Sequence, residues 1–207
     1  MNKKLSLAAL SLAAASLLAP VSAMAQSTDG PWMVRVRAVN LDPANKDDTG
    51  LDLSINSKVI PEVDISYFFT PNIAAELILT YPQKQDIRAG STDIGSLKHL
   101  PPTLTLQYHF LPEGTIRPYV GAGVNYTLFS KVDFIPAVNA ALQPSIESSS
   151  FGLALQAGVD FKIDKNLYLN LDIKKVQIRT DVSSFGAKVG TFKVDPLLVG
   201  IGLGWRF

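Results

Sequence analysis

The sequence contains no cysteine, so no disulfide can staple the fold. Histidine is scarce. His99 and His109 stand ten residues apart with no acidic partner at ligand spacing, which speaks against a zinc site. Charge of one sign is also lacking. With 19 basic and 18 acidic residues, there is no electrostatic case for a nucleic-acid partner. Beyond the first 25 residues there is no apolar run of the ~20 residues that a transmembrane helix needs. If the mature chain crosses a bilayer, it must therefore do so as a closed barrel, because only helices and barrels satisfy every backbone group in lipid. No linker, internal repeat or low-complexity tract divides it. Serines 148–150 have no base nearby in sequence, and no catalytic set or cofactor motif is present.

What is there begins with a leader. Lys3 and Lys4 precede an apolar run from Leu5 to Ala19, Pro20 breaks it, and Ala23-Met24-Ala25 forms a small-x-small cleavage signal. Residues 1–25 are expected to be a secretory signal peptide cut before Gln26, leaving 26–207 as one domain. A retained anchor is the alternative, and the run is short for one.

The last eleven residues are the most informative. In 197–207 one set of alternate positions holds Leu197, Val199, Ile201, Leu203, Trp205 and Phe207. The other holds Leu198, Gly200, Gly202, Gly204 and Arg206. A strand sends alternate residues to opposite faces. A soluble barrel, of the lipocalin kind, would bury the large set and leave a bare glycine surface outside. In a membrane barrel the large residues meet lipid and the small or polar ones fill a narrow interior.

Seven other segments alternate in the same way, beginning near Trp32, Val59, Ile73, Thr103, Val120, Phe151 and Leu167. Together they predict an all-β fold, an eight-stranded antiparallel transmembrane β-barrel. Connections alternate between short (70–72, around 112–114, 164–166) and long (40–57, 82–102, 130–149, 179–192). Short periplasmic turns and long extracellular loops make that pattern, and an even strand number puts both termini in the periplasm. The short-turn ends carry Trp32, Tyr67, Phe69, Tyr108, Phe110, Phe161, Trp205 and Phe207. The long-loop ends carry Tyr81, Tyr126, Phe129 and Phe151. These predict two aromatic girdles in an outer-membrane lipid bilayer. His99 falls in a loop and is expected to be solvated. His109 is expected to face the interior, and a short helix fits 135–142.

Three stretches carry a family resemblance. They are Leu100-Pro101-Pro102-Thr103-Leu104 with Leu106-Gln107-Tyr108, the run from Arg117-Pro118-Tyr119 to Asn125-Tyr126, and Val194-Asp195-Pro196 before the terminal strand. On these the chain resembles the OmpW family of outer-membrane barrels, a group that includes OprG and AlkL. The resemblance implies a narrow barrel passing small, often hydrophobic molecules, with an apolar path leading to a side opening between strands. The terminal aromatics resemble the signal read by the barrel assembly machinery, through Trp205 and Phe207. Gly200 stands where that signal usually has a polar residue.

The expected interior charges are Arg35, Arg37, Glu62, Asp64, Glu76, Asp160, Asp172, Lys174 and Arg206. Unpaired charges in a poorly solvated interior are costly, so these should pair across strands as an ionic plug, with Arg206 closing the periplasmic end. A polar conduit wall is the alternative. An eight-stranded barrel is about filled by its own side chains, which favours the plug. Pro82, Pro101 and Pro102 fall at the outer ends of strands three and four. Proline cannot donate to a ladder, so they mark either a simple strand start or a lateral gate. Leu53, Ile55, Ile78, Phe134, Ile135 and Leu142 are candidates for an apolar lining. Two functional expectations remain: a passive conduit for small hydrophobic solutes, or a structural or adhesive barrel with a filled core whose loops bind external partners.

Overall fold

The structure, a computed structural model, describes residues 30–207; the expected leader and its cleavage site lie outside the described residues. In chain order the elements are β1 (Trp32–Asp42), β2 (Lys46–Asp47), β3 (Leu53–Ile55), β4 (Lys58–Phe68), β5 (Ile73–Leu79), β6 (Gln83–Ala89), β7 (Thr92–Leu100) and β8 (Thr103–His109). There follow β9 (Ile116–Phe134), α1 (Pro136–Leu142), β10 (Pro144–Ile146), β11 (Ser149–Lys162), β12 (Leu167–Val176), β13 (Arg179–Ser184), β14 (Ala187–Lys193) and β15 (Leu197–Arg206).

Alternation along each strand closes a ring. Strands β11, β12, β15, β1, β4, β5, β8 and β9 pair in that order, and β9 returns to β11. Every pairing is antiparallel, so the barrel is the eight-stranded form that the alternation predicts. First and last strands meet in a seam where Trp32 and Phe207 exchange both backbone hydrogen bonds, at 3.0 and 2.8 Å. Closure pairs each of the eight strands on both sides over most of its length.

The two faces differ as lipid and interior demand. The outside carries Leu106, Leu153 and Leu155, all about 60% exposed, a contiguous apolar surface that water would not tolerate. At the short-turn end Trp32, Tyr67 and Phe69 stack edge to face, with centroids 4.8 and 5.2 Å apart, and Tyr108 meets Phe110 at 5.2 Å. At the long-loop end Tyr126 and Phe151 are register partners and both point outward. Phe129 departs from the expected girdle. It is buried inside with the apolar core, because it falls on the inward parity of β9.

The long connections are far more ordered than their polarity suggests. Residues 82–102 form the hairpin β6–β7, turned at Gly90 with a φ of 57°. β9 runs on past the barrel to pair with β7. β13 and β14 form a second hairpin whose two turn residues, Phe185 and Gly186, both have positive φ, as a tight primed turn requires. With β10 and β2 they make a small four-stranded sheet above the barrel.

Candidate functional site

The interior has two layers. The lower one, toward the short turns, is ionic. Arg35 and Arg37 are two residues apart on β1, so both project inward. Arg35 Nη1 lies 3.0 Å from Asp64 and 3.4 Å from Glu76, and its Nη2 lies 2.8 Å from Asp160. Arg37 pairs with Asp64, with Glu76 at 2.9 Å and with Asp172 at 3.4 Å. Its Nε is 3.0 Å from Glu62, though off the line of a hydrogen bond. Lys174 bridges Glu62 at 2.6 Å and Asp172 at 3.0 Å.

The structure places all nine of the expected interior charges in the barrel, and adds Arg117. Among the described residues, buried basic groups (Arg35, Arg37, Arg117, Lys174, Arg206) then equal buried acidic ones (Glu62, Asp64, Glu76, Asp160, Asp172), five of each, so this layer is formally neutral. Removing an ion from water costs several kcal/mol even after relaxation, and neutrality with dense pairing is what lets such a layer exist.

Neutral side chains complete the lower layer. Tyr119 donates to Asp172 at 2.8 Å, Gln156 to Asp172 at 2.7 Å, and Gln107 to Glu76 at 2.8 Å. His109 sits between Phe68 and Tyr119, with centroids 4.9 and 5.0 Å away. Arg206 stacks 3.8 Å over the Phe68 ring and donates to the Gly30 carbonyl. The layer thus fills the cross-section and floors the space above it.

The upper layer is apolar. Val39, Leu41, Ile60, Val176, Ile178 and Leu198 are buried there, together with Leu53, Ile55, Ile87, Leu97 and Phe129 from the outer strands. A narrow cavity of about 20 Å³ lies where the layers meet. That is room for a water-sized guest and no more. It is bounded below by Glu62 and Lys174, and it reaches sideways to Leu79, Thr80 and Pro101.

Beside that cavity the wall is interrupted. β5 ends at Leu79 and β6 resumes at Gln83, while β7 ends at Leu100 and β8 starts at Thr103. The ladder between these strands runs to Ile78↔Thr103 and resumes at Gln83↔His99. Residues 79–82 and 100–102 are left outside it, and these contain Pro82, Pro101 and Pro102. On the other flank, the β4–β5 ladder stops at Val63↔Leu79 although β4 continues to Lys58. Side chains bridge that flank instead: Thr80 donates to the Pro61 carbonyl at 2.7 Å, and Lys58 to the Lys84 carbonyl at 3.3 Å.

Of the candidate lining, Leu53, Ile55 and Ile78 are buried and Phe134 packs against the apolar cluster. Ile135 and Leu142 flank or end α1 and are 40% and 39% exposed, outside the chamber. α1 buries none of its residues, so apolar character there does not imply an inward direction. The solvated position expected for His99 is corrected: it lies on β7, 2% exposed, facing inward opposite Gln83. Gln83, Gln85 and His99 are, like Arg117 and Phe129, interior residues that sequence reasoning missed. The signal was present in Gln83, Gln85 and Ile87 alternating with Lys84, Asp86 and Arg88 past the proline break.

A closed eight-stranded ring with an apolar outer belt, aromatic girdles and a salt-bridged interior defines an outer-membrane β-barrel. Within that class the chain belongs to the OmpW family, whose model matches residues 28–207. It is 40% identical to outer-membrane protein y4mB of Sinorhizobium fredii, over 94% of this chain and 90% of that one. It is 32% identical to outer membrane protein W of Vibrio cholerae, over 99% and 100% of the two chains. In fold it is similar to the crystal structure of OprG from Pseudomonas aeruginosa, with a TM-score of 0.75 at 24% identity, covering 86% of this chain and 97% of that one.

Proposed function

We propose that this barrel is a passive conduit for small, mainly hydrophobic molecules, which leave sideways through its wall into the bilayer. The observation that carries the reading is the junction of three features: an ionic floor, an apolar chamber resting on it, and an interrupted wall beside the chamber. An apolar solute arriving from the long-loop end meets apolar side chains until it reaches the charged layer. Crossing that layer would require breaking paired buried charges, which costs several kcal/mol. Parting strands that share no ladder costs less, because no backbone hydrogen bond has to be exchanged. Pro82, Pro101 and Pro102 form the gate in this reading, and Leu53, Ile55, Ile78 and Phe134 belong to the lining. The narrow cavity is the closed state of the path, which widens when residues 79–82 move away from 100–102.

The accompanying orientation puts both termini in the periplasm and the long loops outside the cell. Trp205 and Phe207 serve as the contact for the barrel assembly machinery. The filled-core alternative draws support from the same small cavity. It assigns the function to the loops and predicts no uptake. Liposomes containing the purified barrel, tested with a panel of apolar and polar small molecules, separate the readings. Faster uptake of apolar members is expected. Uptake confined to polar members would overturn the conduit as proposed, and no uptake at all would leave the adhesive reading.

A further inference from the structure

Just above the wall break, three polar side chains face the apolar chamber. Gln83 and Gln85 lie two apart on β6 and are fully buried. His99 lies directly across from Gln83 on β7 and is 2% exposed. Apolar side chains adjoin them. Leu97 is the register partner of Gln85, and Phe129 that of His99.

These side chains are incompletely satisfied by the protein. Gln83 Nε2 donates to the Tyr81 carbonyl at 2.9 Å and to Thr80 Oγ1 at 3.2 Å, but its Oε1 has no protein partner. Neither Oε1 nor Nε2 of Gln85 has one, nor does His99 Nε2. The ionic layer below shows what a polar group kept for structure looks like in this barrel: Gln107 and Gln156 both hydrogen-bond to carboxylates. Buried polar groups without partners are disfavoured, and apolar residues would pack the chamber at no such penalty.

We propose that Gln83, Gln85 and His99 form a recognition site for the polar end of the transported solute. The site stands at the rim of the gate and offers two amide oxygens as acceptors, one amide N–H₂ as donor, and a ring nitrogen that serves either role according to its tautomer. A neutral hydroxyl both donates and accepts, so it can use the whole set; a carbonyl uses the donors alone. The preferred solute is therefore an apolar body with one uncharged hydroxyl or carbonyl group, not a bare hydrocarbon. A site built to hydrogen-bond a substrate group discriminates against the analogue lacking it far more strongly than an apolar pocket discriminates by size. The assignment deepens the conduit reading and rests on it for the word transported; the binding site itself can be tested separately.

The test uses the full barrel in nanodiscs with ¹⁵N-labelled glutamine, the side-chain amide signals being assigned from the Gln83→Leu and Gln85→Leu variants. Titration with 1-octanol should shift both amide signals saturably, and n-octane at matched membrane concentration should leave them in place. The Gln85→Leu, His99→Phe double variant should weaken octanol binding about tenfold, the loss of roughly one hydrogen bond's net free energy. Circular dichroism and heat-modifiable gel mobility would establish that the variant is folded. If it is not, Gln85→Met, which keeps the length of the side chain and removes both the amide donor and its acceptor, provides the same comparison. Equal shifts with octanol and octane, or none with either, would overturn the site and leave the polar groups as water ligands only. Loss of uptake for every apolar probe in liposomes with the octanol shifts intact would instead overturn transport and leave the site standing.

Discussion

Arg37 and Gly202 are register partners across the barrel seam, and the two strands pass so close there that no side chain fits at position 202. A Cβ built on Gly202 would fall 2.7 Å from both Cα and Cγ of Arg37 and against the Val36 carbonyl. Two residues along the strand, a Cβ on Gly200 would press only on the end of a side chain, Val39 Cγ2 at 3.1 Å, with Arg37 Cδ and the Ala38 carbonyl at the ordinary contact distances of 3.6 and 3.7 Å. Gly202→Ala should destabilise the barrel by about 1–3 kcal/mol, the usual range for overpacking, and Gly200→Ala by less. Reversible urea unfolding in lipid vesicles measures both; equal effects would refute the account.

Truncating Arg37 should cost more. Arg37→Ala leaves Asp64 and Glu76 with less positive charge in a buried layer, and breaking such a pair costs about 3–5 kcal/mol. Adding Asp64→Asn to that variant should restore part of the loss, since it removes the charge left unbalanced. A double-mutant cycle by urea titration checks this, and strict additivity would contradict the coupled network.

Restoring donors at the wall break should slow the conduit. Pro101→Ala supplies an N–H on the side of 79–82, and Pro102→Ala restores the donor missing from the pair that Pro102 makes with Tyr126 on β9, so the two together stiffen both flanks of the break. Uptake of an apolar solute into liposomes should fall several-fold while unfolding stability stays level or rises. Unchanged uptake would argue against a gate made by proline.

A pH effect is expected outside the bilayer, at Asp47. Burial alone would raise its carboxyl, but hydrogen bonds from the backbone N–H of Leu53 and Thr49, and from the Thr49 hydroxyl, hold it below the usual carboxylate range. A group depressed in the folded state contributes stability above its unfolded pKa of about 4 and loses it as pH falls through the lower folded value. Amide exchange at Thr49 and Leu53 should therefore stay slow at neutral pH and quicken below about pH 4, relative to the intrinsic rate. Asp47→Ala should show fast exchange at every pH.

The barrel strands were legible because lipid and interior make opposite demands on alternate residues. The nine interior charges were legible for the same reason. Phe129 was not, since it follows Leu128 and two adjacent apolar residues hide which is inward. His99 lies between Lys98 and Leu100, and its direction comes from the β6–β7 pairing, which is set by a turn at Gly90. Three of the prolines at the break could be read in advance. The part played by Pro61 could not, because it depends on where the β4–β5 ladder stops. Ile135 and Leu142 show the opposite limit: an isolated short helix has no partner to fix its face, so hydrophobicity there carries no direction.

The seam has a consequence for assembly. The first and last strands are the most distant in sequence, so their ladder closes the longest loop in the described chain. A slip by one residue would turn Arg35 and Arg37 toward lipid. A slip by two in one direction would set Arg35 against Arg206, and in the other Val39 against Leu198 in place of Gly200. Like charge penalises the first error and bulk the second. Arg206 and Leu198, at the two ends of the glycine run, thereby bound it to a single lock position, so closure of the ring and correctness of its register become the same event.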